Sequence, residues 1–131
     1  MSAPSPSVCR KGFSFIEVLI VMVVFALLVA IAIPRYRNQK ERGVIASMQS
    51  DLRNLATAEE GYFYVNNVYT QNLALLNNQV TAGNTLVVNE ATNVGWSATA
   101  SSSTTSIRCY IFHGSATPVG SAASEGAIDC S

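Results

Sequence analysis

The side chain best placed to do chemistry is Glu17, the one charge in the run Phe13 to Ile33, FSFIEVLIVMVVFALLVAIAI. An ionised carboxylate in an apolar helix costs on the order of 2.5 to 3.5 kcal/mol at a bilayer centre and less towards an interface, so it needs a positive partner. Other reactive groups are sparse. His113 is the only histidine, which excludes a cluster of histidine ligands and leaves any histidine-dependent triad resting on this one residue. Its place after a β-prone run and before Gly114 reads as an exposed loop. Glu125 and Asp129 are two carboxylates without the rest of an oxygen shell, better read as solvated acids than as a calcium site. The chain has no G-x-x-x-x-G-K-[ST], G-x-G-x-x-G or C-x-x-C. The residues therefore point to no catalytic group, no metal and no cofactor, and to a protein that is not an enzyme.

The elements that must hold Glu17 come next. At ~1.5 Å per residue, a helix over Phe13 to Ile33 covers about 31 Å, enough to cross a hydrocarbon core of roughly 30 Å. Helical patterning resumes after Pro34: Val44, Ile45, Met48, Leu52, Leu55, Ala56, Ala58, Tyr62 and Phe63 recur at three- and four-residue spacing, with Gln49, Asp51, Arg53, Asn54 and Glu60 opposite. One helix from about Phe13 to about Tyr64 is the simplest account. Pro34 and Gly43 are its weak points, the first by removing a donor and the second at roughly 1 kcal/mol against Ala. Bending or melting between them is expected when copies pack, and the proline-free stretch from Arg42 to Val65 predicts a smooth curve. Asn66 and Asn67 close the helix, and Thr70 is placed to cap an apolar turn with Leu73, Leu75 and Leu76.

Beyond Asn77 the composition turns to Thr, Ser, Val, Asn and Gly. Thr85 to Asn89, Val94 to Ala100 and Ile107 to Phe112 are β-prone, with Ser101 to Ser106 as a polar connection. Alternation puts Val94, Trp96, Ala98 and Ala100 on one face, which would cover the helix stripe. The fold class is α+β: a long helix, apolar and then amphipathic, packed against a small antiparallel sheet of three or four strands.

A chain of 131 residues is one domain at most, and 49% apolar against 12% charged residues is a membrane-leaning balance. Basic and acidic side chains are equal at eight each, which provides no electrostatic footprint for nucleic acid. Arg35, Arg37, Lys40 and Arg42 follow the apolar run and read as a solvated stretch facing lipid headgroups, able to pair with Glu41, Asp51 or Glu59 of neighbouring copies. Phe13, Phe15, Phe25, Tyr36, Tyr62, Phe63, Tyr64 and Tyr69 fall in or just after the helix and are read as packing residues. Residues 1 to 12, MSAPSPSVCRKG, lack periodicity and are expected to be disordered. No apolar stretch precedes Cys9, as a lipoprotein site would need, and a secretory signal ending at Ala30, Ile31 and Ala32 would be too long and would contain Glu17.

Across the junction the sequence R-K-G-F-S-F-I-E-V-L-I, with Pro34 after it, resembles the class III signal of type IV prepilins and pseudopilins. The stretch A-E-E-G-Y-F-Y-V-N-N-V-Y-T resembles, more loosely, the helix-to-loop transition of bacterial type IV pilins. The resemblance implies cleavage by a prepilin peptidase between Gly12 and Phe13 and N-methylation of Phe13. Residues 1–12 would then be a leader, 13–33 a transmembrane and filament-core helix, 34–65 the amphipathic half of the same helix, and 66–131 the loop, sheet and terminal disulfide loop. Cys9 would leave with the leader, and pilins commonly join two cysteines such as Cys109 and Cys130; two unpaired thiols are the alternative. The freed α-amino group, with an ordinary pKa of about 8, would face Glu17 of its own or a neighbouring copy.

As expectations, the resemblance also implies a structural subunit, the major pilin, of a type IV pilus: an inner-membrane protein with its N-terminus in the cytoplasm before assembly, then part of a surface homopolymer. Its partners would be an assembly ATPase and an inner-membrane platform protein. A pseudopilin of a type II secretion system shares the N-terminal logic, but its usual calcium loop and W-G-x-P-Y-like stretch are missing while the cysteine pair is present. A single-pass anchored binding protein that never polymerises is the reading from another class. Adhesion, twitching, DNA uptake and charge transport are not distinguished by these residues.

Overall fold

A computed structural model describes residues 12–131. Residues 1–11, with Cys9, Arg10, Lys11 and most of the expected disordered leader, lie outside the described residues. The chain divides into two compact units, one ending at Arg37 and the other running Asn38–Ser131.

Helix α1 is Phe15–Asn66, 52 residues, passing without interruption through Pro34 and Gly43. It begins two residues later than the pattern suggests, because Ser14 caps it: its carbonyl accepts from the N–H of Glu17 at 3.0 Å and of Val18 at 3.3 Å. It ends later too. Asn67 takes the left-handed conformation at φ 53°, and its N–H still reaches the Phe63 carbonyl at 2.7 Å.

Within Asn38–Ser131, α1 buries Met48, Asp51, Leu52, Leu55 and Glu59. The apolar stripe behaves as its spacing predicts, every member lying in the core or packed on it. Asp51 does not: it is 2% exposed, on the buried face. Positions 48, 51, 52, 55 and 59 share one side of a 3.6-residue helix, so the carboxylate is carried into the core and must find donors there. It accepts from the Thr81 hydroxyl at 2.8 Å, from the Thr81 N–H at 3.2 Å and from Asn84 Nδ2 at 2.8 Å, which ties the approach to the sheet onto the helix.

The connection after α1 carries a 3₁₀ turn, Leu73–Leu76. Its cap is Asn72, whose Oδ1 accepts from the Ala74 N–H at 3.1 Å, in place of Thr70, whose hydroxyl accepts from the Asn72 N–H one step earlier. Four antiparallel strands follow in the spatial order of the chain: β1 (Asn84–Ala91), β2 (Gly95–Ser102), β3 (Thr105–Gly114) and β4 (Asp129–Cys130). The expected connection Ser101 to Ser106 shrinks to Ser103 and Thr104, because hydroxyls at its two ends find acceptors just before β1 and on α1. Ser102 Oγ donates to the Gly83 carbonyl and Thr105 Oγ1 to Glu41.

The inner face of β2 is Trp96, Ala98 and Ala100, all buried; the small alanines let α1 approach while Trp96 fills the remaining space. Val94 is not on that face: it precedes β2 and is 57% exposed, held in a turn where the Thr92 hydroxyl accepts from the N–H of Val94 and of Gly95. Gly95 itself is obligatory. A Cβ there would collide with the His113 carbonyl and with the backbone of Ser115 and Ala116.

One helix layer on one sheet layer was expected, but the outer face is partly covered as well. Ser97 pairs in register with Phe112, and both are buried, with Ala116 and Ala122 of the C-terminal segment buried as well. Gly120 packs directly against the ring of Tyr110, which shares that outer face. The segment then returns to the β3 edge, where Gly126 N–H donates to the Phe112 carbonyl at 2.9 Å. Cys109 and Cys130 are register partners and form a disulfide, closing this segment into a loop.

Asp51→Ala removes the acceptor of the Thr81 hydroxyl and N–H and one of the two acceptors of Asn84 Nδ2, and is expected to cost about 1 to 3 kcal/mol, a fall of roughly 5 to 15 °C in the melting temperature of the detergent-solubilised chain. Replacing both Cys109 and Cys130 by Ser should cost about 3 kcal/mol and expose the β4 amides to hydrogen exchange.

Candidate functional site

The N-terminal unit has no interior. Every described residue from Gly12 to Arg37 is exposed, and an 18-residue window of α1 with mean hydropathy 3.2 has no buried member. Phe13, Phe15 and Phe25 are 78%, 81% and 62% exposed. Burial of apolar surface is worth ~25 cal/mol per Å², so a side-chain shell of this kind is stable only in lipid or against other helices. Glu17 stands in the first turn of α1, where the unpaired N–H groups and the helix dipole favour an anion. Among the described residues it has no ion-pair partner. A Cβ at Gly12 or Gly43 would meet nothing within 4 Å, so among the described residues neither glycine is required by packing.

Of the three acids that could have paired with the bases after the apolar run in a neighbouring copy, two are unavailable. Asp51 is engaged as described. Glu59 is fully buried, with Oε2 accepting from the Thr70 N–H at 3.1 Å. Only Glu41 is exposed, and it already accepts from Thr105.

His113 is not in a loop. It lies in β3, register partner of Trp96, with its imidazole between two carboxylates: Nε2 is 3.5 Å from Glu60 Oε1 and Nδ1 is 3.3 Å from Glu125 Oε1. Glu60 Oε1 also accepts from the Tyr69 hydroxyl at 3.1 Å, and Glu125 Oε1 from the Gly114 N–H at 2.7 Å. Tyr69 stacks on Phe63 at 4.6 Å and meets His113 edge-on at 6.3 Å. Burial, the hydrogen bond to Glu60 and the charges of Glu60, Glu59 and Glu125 push the Tyr69 phenol up to about 12, so it remains a donor. Burial also raises Glu59; the Thr70 N–H opposes the rise and the charge of Glu60 adds to it. No three His, Cys, Asp or Glu side chains are grouped to hold a metal among the described residues. Glu125 is nonetheless not a plain solvated acid, whereas Asp129 is an exposed residue of β4.

The prokaryotic N-terminal methylation motif matches residues 8–33. Fifty-one residues are 39% identical to the type IV major fimbrial protein FimA of Dichelobacter nodosus, covering 39% of this chain and 33% of that protein. The fimbrial protein of Pseudomonas aeruginosa matches with the same identity and coverage. Sixty-six residues are 36% identical to the type IV wide pilus major component PilA4 of Thermus thermophilus, half of each chain. The chain spans between a third and a half of the length of these relatives. The matched motif includes the exposed apolar start of α1, and the later half of that helix packs on a four-stranded antiparallel sheet, a pilin-like α+β arrangement. By motif and by partial similarity over its N-terminal part, the chain resembles type IV major pilins and fimbrial proteins.

The raised Glu59 carries a pH dependence. Above the ordinary glutamate range the unfolded chain has released this proton while the native chain still holds it, so native stability declines as pH rises through the raised value. Glu59→Gln keeps an acceptor for Thr70 and removes the charge; its melting temperature should exceed the wild type at pH 7 and converge with it at pH 4.

Proposed function

We propose that the chain is the major structural subunit of a type IV pilus. It is processed between Gly12 and Phe13 by a prepilin peptidase, methylated on Phe13, and stored in the inner membrane through residues 13–33 with its N-terminus cytoplasmic. It is then drawn into a helical homopolymer by an assembly ATPase and a platform protein. The observation that carries this reading is the exposed apolar helix with an acid in its first turn that has no ion-pair partner among the described residues, both inside the stretch matched by the methylation motif. Cleavage turns the backbone nitrogen of Phe13 into an amine one helical turn from Glu17. Two charges that are each costly in an apolar medium become tolerable as a pair, and when amine and acid come from different copies the pairing fixes their axial stagger.

Gly12 fits the same account, since only an extrinsic reader such as the peptidase needs it. The stretch between Pro34 and Gly43 is assigned the loosening that packing of copies requires: α1 lacks a donor at Pro34, and Gly43 weakens the helix without serving any internal contact. Contacts that repeat head to tail generate an open filament.

The test is Glu17→Ala in cells with a working peptidase. Intact mass should show the loss of residues 1–12 and one added methyl group for variant and wild type alike, while sheared surface fibres disappear only in the variant. Normal fibre yield from Glu17→Ala would refute the pairing, and recovered protein that still begins at Met1 would refute the processing.

A further inference from the structure

We propose that Glu60, His113 and Glu125 form a proton-operated latch, which fastens the Cys109–Cys130 loop beside α1 when His113 is charged and releases its Glu125 side when the histidine is neutral. The inference stands apart from the pilus reading, since all of its parts lie in Asn38–Ser131.

The reasoning is stereochemical. Both ring nitrogens face carboxylate oxygens, Nε2 towards Glu60 and Nδ1 towards Glu125. A neutral imidazole has one N–H and one lone pair, so it donates to one carboxylate and turns a lone pair on the other. Only the imidazolium donates to both. Both contacts can therefore be attractive hydrogen bonds at once only when the ring is charged. Three acids reach this place: Glu59 and Glu60 from α1 and Glu125 from the loop. Tyr69, from the connection after α1, contributes a neutral phenol, and β2 contributes the uncharged Trp96. No lysine or arginine pairs with an acid among the described residues, so His113 is the group that compensates the cluster.

The two sides are not equivalent. Glu60 is fixed on a helix and keeps the Tyr69 hydroxyl as a second donor. Glu125 sits in a loop with its side chain 54% exposed, free to swing into water. When the ring loses its proton it retains Nε2–H towards Glu60, and Glu125 leaves, abandoning the Gly114 N–H as it goes. The backbone bond from Gly126 to Phe112 then loses its neighbouring anchor.

The experiment is amide hydrogen exchange of the full chain in detergent, read at Gly114 and Gly126 between about pH 5.5 and pH 7.5, which brackets ordinary histidine titration, and corrected for the intrinsic rate. The wild type should lose roughly threefold to fivefold protection across this range, a partly exposed ion pair setting the scale. His113→Gln should show no step, although Glu59 still titrates in it. Glu125→Gln should stay protected at both ends, because its amide oxygen keeps Gly114 and its NH₂ can donate to the neutral ring. Protection independent of pH in the wild type, or a step that persists in His113→Gln, would overturn the latch.

Discussion

An apolar helix surface that its own chain leaves uncovered is the constraint behind every other feature of this protein. From Phe13 to Ile33 no described residue shields the side chains, and the stretch is too long and too greasy to persist in water. It is stable only in lipid or against other helices. In both settings Glu17 is costly unless a positive group meets it, so the chemistry of the N-terminus and the packing of the helix are one problem. The position of the acid in the first turn is the part of the answer visible within a single chain.

The later half of α1 solves a different problem with the same geometry. Its stripe is covered by the alanines and Trp96 of β2, which leaves the opposite side of the helix polar. Charged residues enter this core at Asp51 and Glu59, and they differ in how well they are satisfied. Asp51 collects three donors and works as a bracket between α1 and the start of β1. Glu59 has one donor for two oxygens, which is why burial raises its pKa. The first is a structural tie, the second a source of pH sensitivity.

The C-terminal segment is more than a covalently closed tail. It shields Ser97 and Phe112 on the outer face, sets Gly120 against Tyr110, and returns to the β3 edge before Cys130 joins Cys109. That route brings Glu125 to His113 and places one carboxylate against each nitrogen of the imidazole, Glu60 at Nε2 and Glu125 at Nδ1. In a chain with so few charged residues, this concentration of charge beside a partly exposed histidine is what ties the loop to α1 in the proposed latch.

Local pattern was enough to read the long helix, the β-prone runs, the N-terminal methylation motif and the single charge of the apolar run, because each depends on composition or spacing along one stretch of chain. The cysteine pair came with the resemblance and was then found joined. Asp51 was legible in principle, since it lies three residues after Met48 and four before Leu55, but its polarity argued for the outer side; only the donors of Thr81 and Asn84, some thirty residues away, reverse that. The same holds for Thr70 and Asn72, where either side chain suits a cap and backbone direction decides. The environment of His113 had no local signal at all. Its partners come from a helix and a loop separated from it by 53 and 12 positions, and a long-range meeting of that sort is set by the register of β3 and the path of the disulfide loop, quantities that exist only once the sheet has formed.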